Sequence, residues 1–79
     1  MLAYAQLLHP FLEFVSECIA LAIQDFEREQ NYITDLLAHP SLSDKERLLL
    51  KVRWVECEDG IQKLTKLQRF IKKLASKLK

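Results

Sequence analysis

The chain has 79 residues and a net charge of +1, with 49% hydrophobic and 29% charged residues. This length allows a single domain, residues 1–79, and the apolar share excludes a disordered chain. Gly60 is the only glycine and Pro10 and Pro40 are the only prolines; sheets and tight hairpins need more turn residues than that, so the fold class is all-α.

Residues 1–23 are largely apolar, and Ala20-Leu21-Ala22 has the small-residue character of a cleavage site. No Lys or Arg precedes this stretch, and Glu13 and Glu17 sit inside it. A signal peptide has a basic start, and a membrane span excludes charge, so the segment reads as a buried helix of a soluble protein, expected in the cytoplasm. The first helix is expected over about residues 11–37. Pro10 suits its first turn, with a short helical turn over residues 2–8 before it; alternatively Pro10 kinks one longer helix.

At about 100° per residue, Glu13, Ser16, Glu17, Ala20, Gln24, Glu27, Arg28 and Asn31 form a polar stripe on this helix. Phe11, Leu12, Phe14, Val15, Cys18, Ile19, Leu21, Ala22 and Ile23 occupy most of the remaining circumference. One companion helix cannot cover so wide an apolar surface, so neighbours are expected on two sides.

Residues 38–43 form the turn. Pro40 disfavours a helical His39, and Ser43 followed by Glu46 makes a capping box for the next helix. That helix is expected over about residues 44–77. Leu50, Cys57, Leu64, Ile71 and Leu78 recur every seven residues, with Trp54, Ile61, Gln68 and Ala75 at the companion position. This is a coiled-coil pattern. Gly60 costs about 1 kcal/mol relative to Ala, yet the pattern continues in phase beyond it; a local bend is the alternative.

Two helices joined by a short turn make an antiparallel hairpin, which buries too little to stand alone at this length. A four-helix bundle, completed by a second copy or by another helical protein, would satisfy it. The expected interface residues are Phe11, Phe14, Val15, Cys18, Leu21, Ala22, Leu50, Trp54, Cys57, Ile61, Leu64 and Ile71. Tyr4, Phe11 and Phe14 add an aromatic N-terminal patch. In architecture alone the hairpin is similar to small hairpin cochaperones of bacterial secretion systems and to plasmid RNA-binding hairpin dimers.

Charge divides unevenly. Residues 1–44 sum to −6 and residues 45–79 to +7. Folding back brings the two halves together, but residues 61–79 contain seven bases and no acid. Lys63, Lys66, Arg69, Lys73 and Lys77 share one side of the second helix, a face suited to an anionic partner such as nucleic acid. Cys18 and Cys57 fall on apolar faces without metal-ligand spacing, as core thiols of a reducing compartment would.

Asp25, Glu29, Glu56 and Asp59 are the one set that invites a metal-dependent hydrolase reading, because carboxylates three or four apart on facing helices can hold Mg²⁺ or Mn²⁺. Glu56 and Asp59 lie away from the Leu50/Cys57 stripe, Asp25 does not share the polar stripe of Glu13 and Glu27, and Arg28, Lys51, Arg53 and Lys63 offer surface pairs, which argues for solvated charge. His9 and His39 each precede a proline and belong to chain bends. No nucleophile set, phosphate loop or zinc pattern is present, so the expected function is a non-enzymatic interaction module (adaptor, cochaperone or regulator) with no cofactor and no small-molecule substrate.

Overall fold

In the computed structural model, residues 2–78 are described, with side chains from Leu7 to Leu78. Two helices account for nearly all of them: α1, Leu2–Leu37, and α2, Asp44–Lys77. They pack against each other as an antiparallel hairpin 61 Å long and 14 × 12 Å in cross-section.

α1 starts at Leu2, earlier than the expected residue 11, and Pro10 lies within it. The turn expected over residues 2–8 is therefore continuous with the main helix. The physical reason is that Leu, Ala and Gln before it and Leu and Glu after it favour helix and the φ fixed by proline is itself helical, which carries the helix through the lost hydrogen bond and the ring's clash with the preceding turn. The side chain of Tyr4 lies outside the described residues.

The connection has a defined set of hydrogen bonds. Ala38 N donates to Asp35 O (3.2 Å) and His39 N to Leu36 O (3.0 Å), tightening the end of α1. Arg47 reaches back from α2, its two terminal nitrogens donating to Leu37 O (2.8 Å) and His39 O (2.7 Å). These carbonyls have no partner within the helix, so Arg47 closes the C-terminus of α1. Ser43 caps α2: its Oγ accepts from Glu46 N (3.2 Å), and the Glu46 carboxylate accepts from Ser43 N (3.3 Å) and Oγ (2.8 Å). This is the capping box expected from the sequence.

The seam of α2 follows the heptads. Cys57, Ile71 and Ala75 are buried, and Leu50, Trp54, Ile61, Leu64, Gln68 and Leu78 are half-buried. α1 answers with Leu12, Ile19, Phe26 and Ile33 at seven-residue steps, of which Ile19 and Ile33 are buried. Ser16, Ile23, Gln30 and Leu37 form its companion line. Gln30, buried, donates to Trp54 O (3.3 Å) and to the Glu58 carboxylate (3.0 Å). Gln68 donates to Ser16 O (3.3 Å). Gly60 continues the helix without a positive φ, and the Phe26 ring lies against it.

Among the described residues, only five apolar side chains are buried. Ile19 alone of them lies in the N-terminal apolar stretch, which is therefore not the buried helix expected from the sequence: its single companion, α2, covers one side only. The chain exposes 6372 Å², whereas a compact monomer of 9.3 kDa exposes about 5,000 Å². Its radius of gyration is 18.0 Å, against about 12 Å for a globular chain of this length. The hairpin is a rod with an excess of accessible surface.

Candidate interaction surface

Where that excess lies follows from hydrogen bonds and spacing. Glu29 accepts from two guanidinium nitrogens of Arg53, across the hairpin, so Glu29 and Arg53 occupy the same flank. Leu8, Val15 and Ala22 precede Glu29 at seven-residue steps, and Gly60, Leu67 and Leu74 follow Arg53 in the same way. Arg53 also pairs with Glu56 (3.2 Å), which extends the flank to the line Glu56, Lys63, Phe70 and Lys77 on α2. The adjoining line on α1 is Phe11, Cys18, Asp25 and Tyr32. One flank therefore gathers apolar side chains from both helices at the end formed by the start of α1 and the finish of α2.

The large members of this patch are open to solvent. Phe11 is 59% exposed and Phe70 62%, with Leu8, Leu67 and Leu74 also exposed. Phe14, 63% exposed, and Leu21 continue the patch around the outer edge of α1. At the same end, the opposite flank carries a groove lined by both polar and apolar groups, among them Glu13, Ser16, Lys72, Leu12 and Ile71, and a second exposed apolar set, Leu48, Leu49, Val52 and Val55, lies on α2 nearer the turn. A contiguous exposed apolar surface is a feature shared by protein-binding faces, ligand grooves and membrane contacts.

The residues expected at an interface thus fall into two groups. Leu50, Trp54, Cys57, Ile61, Leu64 and Ile71 line the seam inside the hairpin. Phe11, Phe14, Cys18 and Leu21 are exposed, and Val15 and Ala22 are half-buried beside them. The seam residues Leu12, Ile19, Phe26, Gln30 and Ile33 were not singled out from the sequence as interface positions, although the first, second, third and fifth recur every seven residues.

The patch ends at a band of charge, where Glu29, Arg53 and Glu56 form a cluster. The Arg53 guanidinium and the Cys57 thiol, Sγ 3.3 Å from Glu29 Oε2, hold the Glu29 carboxyl below the usual range. Glu29 and Glu56 in turn raise the pKa of Arg53. Cys57 is fully buried, and its pKa is raised by burial and by the hydrogen bond to Glu29, so it is a protonated donor. Asp25 pairs with Arg28 (3.7 Å) and Asp59 with Lys63 (2.8 Å). All four carboxylates of the hydrolase reading therefore sit in ion pairs with bases, and among the described residues no three metal-ligating side chains converge.

On the outward side of α2, Lys66, Arg69, Lys73 and Lys77 are exposed. Lys63, paired with Asp59, belongs to the same strip. By length and composition alone, α1 is also long and apolar enough to cross a membrane over Leu7–Leu37. Comparison of the chain with protein families, with curated proteins and with solved structures finds no match.

Proposed function

We propose that the protein is a non-enzymatic interaction module of the cytoplasm that works by helix–helix association through the apolar flank built from Phe11, Val15, Cys18, Leu67, Phe70 and Leu74. The observation that carries this reading is the exposure of Phe11, Phe14 and Phe70 together on a rod with few buried apolar side chains. A helical partner, either a second copy or another helical protein, covers the flank and completes a four-helix bundle. Adaptor, cochaperone and regulator are all roles such a surface serves. Two free thiols suit a reducing compartment, and the module requires no cofactor or small-molecule substrate.

Light scattering on the isolated chain tests the reading. Association is expected, either as a defined oligomer or as a sticky, poorly folded chain that lacks its partner. A stable, compact 9.3 kDa monomer would overturn it, as would quantitative partition of the chain into neutral lipid vesicles.

A second reading is favoured by one observation: among the described residues no carboxylate pairs with Lys66, Arg69, Lys73 or Lys77. With Lys63 they form a strip suited to phosphates, and the protein would then be a nucleic-acid-binding regulator. Binding should fall steeply with salt and vanish when Lys66, Arg69 and Lys73 become Glu, with association intact. Salt-insensitive binding, or none, removes this reading.

A further inference from the structure

We infer that the occupant of the apolar flank is a second copy of this chain, related by a two-fold axis parallel to the hairpin, so that α1 of each copy lies along α2 of the other. The inference rests on the association reading above and adds the partner and its orientation.

Area gives the first argument. Leu8, Phe11, Leu67, Phe70 and Leu74 are between 39% and 62% exposed. Taking about 200 Å² for a large side chain, they offer on the order of 500 Å² per copy, before Val15, Cys18 and Ala22 are counted. Specific interfaces begin at roughly 600 Å² from each partner, so the flank is the size of one half of a small symmetric contact.

Register and charge give the second. Within the hairpin Ser16 is level with Gln68, Phe26 with Gly60 and Gln30 with Trp54. An axis parallel to the helices keeps these levels between copies. It sets Leu8 near Leu74 of the other copy, Val15 near Leu67 and Cys18 near Phe70. Asp25 comes beside Lys63, and Glu29 beside Arg53, so acid meets base at the end of the contact nearer the turn.

An axis perpendicular to the helices reverses this outcome. It lays α1 on α1 and α2 on α2, bringing Lys63 of one copy level with Lys77 of the other. Like charges in register oppose that arrangement.

The full-length chain tests this with its own thiol. Wild type is expected to scatter as a particle of twice the 9.3 kDa chain mass. Under mild oxidation, Phe70→Cys should give a disulfide-linked dimer through Cys18, lost on adding Cys18→Ser. Within one chain these two positions splay apart. Links through Cys18 in wild type or in Phe11→Cys would overturn the orientation.

Charge exchange provides a test that leaves the apolar patch intact. Asp25→Lys or Lys63→Asp should each weaken dimerisation about fivefold, counting both symmetric sites, and the double exchange should restore it. No link from Phe70→Cys together with no restoration overturns the inference. Ill-defined aggregates in place of a dimer reject the second copy but leave the association reading standing. A compact monomer rejects both.

Discussion

The ring of Phe26 lies so close to Gly60 that a Cβ built there would fall 2.9 Å from Cε2 and 3.0 Å from Cζ. Gly60 is an ordinary helical residue without a positive φ, so what it provides is space. Alanine at an exposed helix interior gains about 1 kcal/mol over glycine. Here Gly60→Ala should recover little of that gain, because the half-buried ring must move. In a Phe26→Leu background the gain should be restored, giving a coupling of about 1 kcal/mol in a double-mutant cycle. Equal effects in the two backgrounds, read from urea unfolding midpoints, would disprove the contact.

The turn carries its own prediction. Ser43 and Glu46 satisfy the start of α2, and Arg47 satisfies the end of α1. Ser43→Ala should cost about 1 kcal/mol of stability. Arg47→Met keeps the aliphatic stem while freeing the Leu37 and His39 carbonyls, and a comparable loss is expected. Thermal melts of the two variants and their combination should show nearly additive losses if each closes a different helix end. A neutral Arg47→Met would mean that water replaces the guanidinium without cost.

These local features were legible in the sequence to very different degrees. The capping box is a two-residue signature, and the α2 heptads run through a helix with one narrow apolar stripe, so both could be read directly. α1 resisted because its apolar residues surround most of the helix. The wheel identified an excess of greasy surface but could not say which part faces α2. Leu12, Ile19, Phe26 and Ile33 take that role, leaving Phe11, Phe14 and Leu21 outside. Gln30 was hidden for another reason: a polar residue in a seam is recognisable only once its partners, Trp54 O and the Glu58 carboxylate, are in place. The flank itself needed the Glu29–Arg53 hydrogen bonds, since sequence spacing cannot say which sides of two helices coincide.

Acid should weaken the hairpin, and the direction follows from two carboxylates. Arg53 and Cys57 hold the Glu29 carboxyl below 4.5, and the Ser43 hydroxyl and backbone do the same for Glu46. A carboxylate with a depressed folded-state pKa stabilises fully above its unfolded value. That contribution is lost as pH falls through the folded value. Unfolding midpoints should therefore drop between about pH 5 and pH 3. Glu29→Gln should flatten part of the drop, and Glu29→Gln with Ser43→Ala more of it. An unchanged acid limb in the double variant would assign the loss to other groups.

The two thiols make opposite predictions from one molecule. Cys57 is fully buried, and both burial and Glu29 raise its pKa above 9.0. The thiolate is the reactive form, so Cys57 should react with an aromatic disulfide reagent only when the hairpin opens, at least about a hundredfold more slowly than an exposed thiol. The raised pKa also means that stability is intact below 9.0 and declines as pH climbs above it, because the unfolded thiol then ionises while the folded one does not. Cys18 is exposed within the hairpin but lies on the flank assigned to a second copy. Its labelling rate should fall as protein concentration rises through the dimerisation range, while that of Cys57 stays slow throughout. A Cys18 rate independent of concentration, in a sample whose scattering mass doubles over the same range, would place the contact between copies somewhere other than this flank.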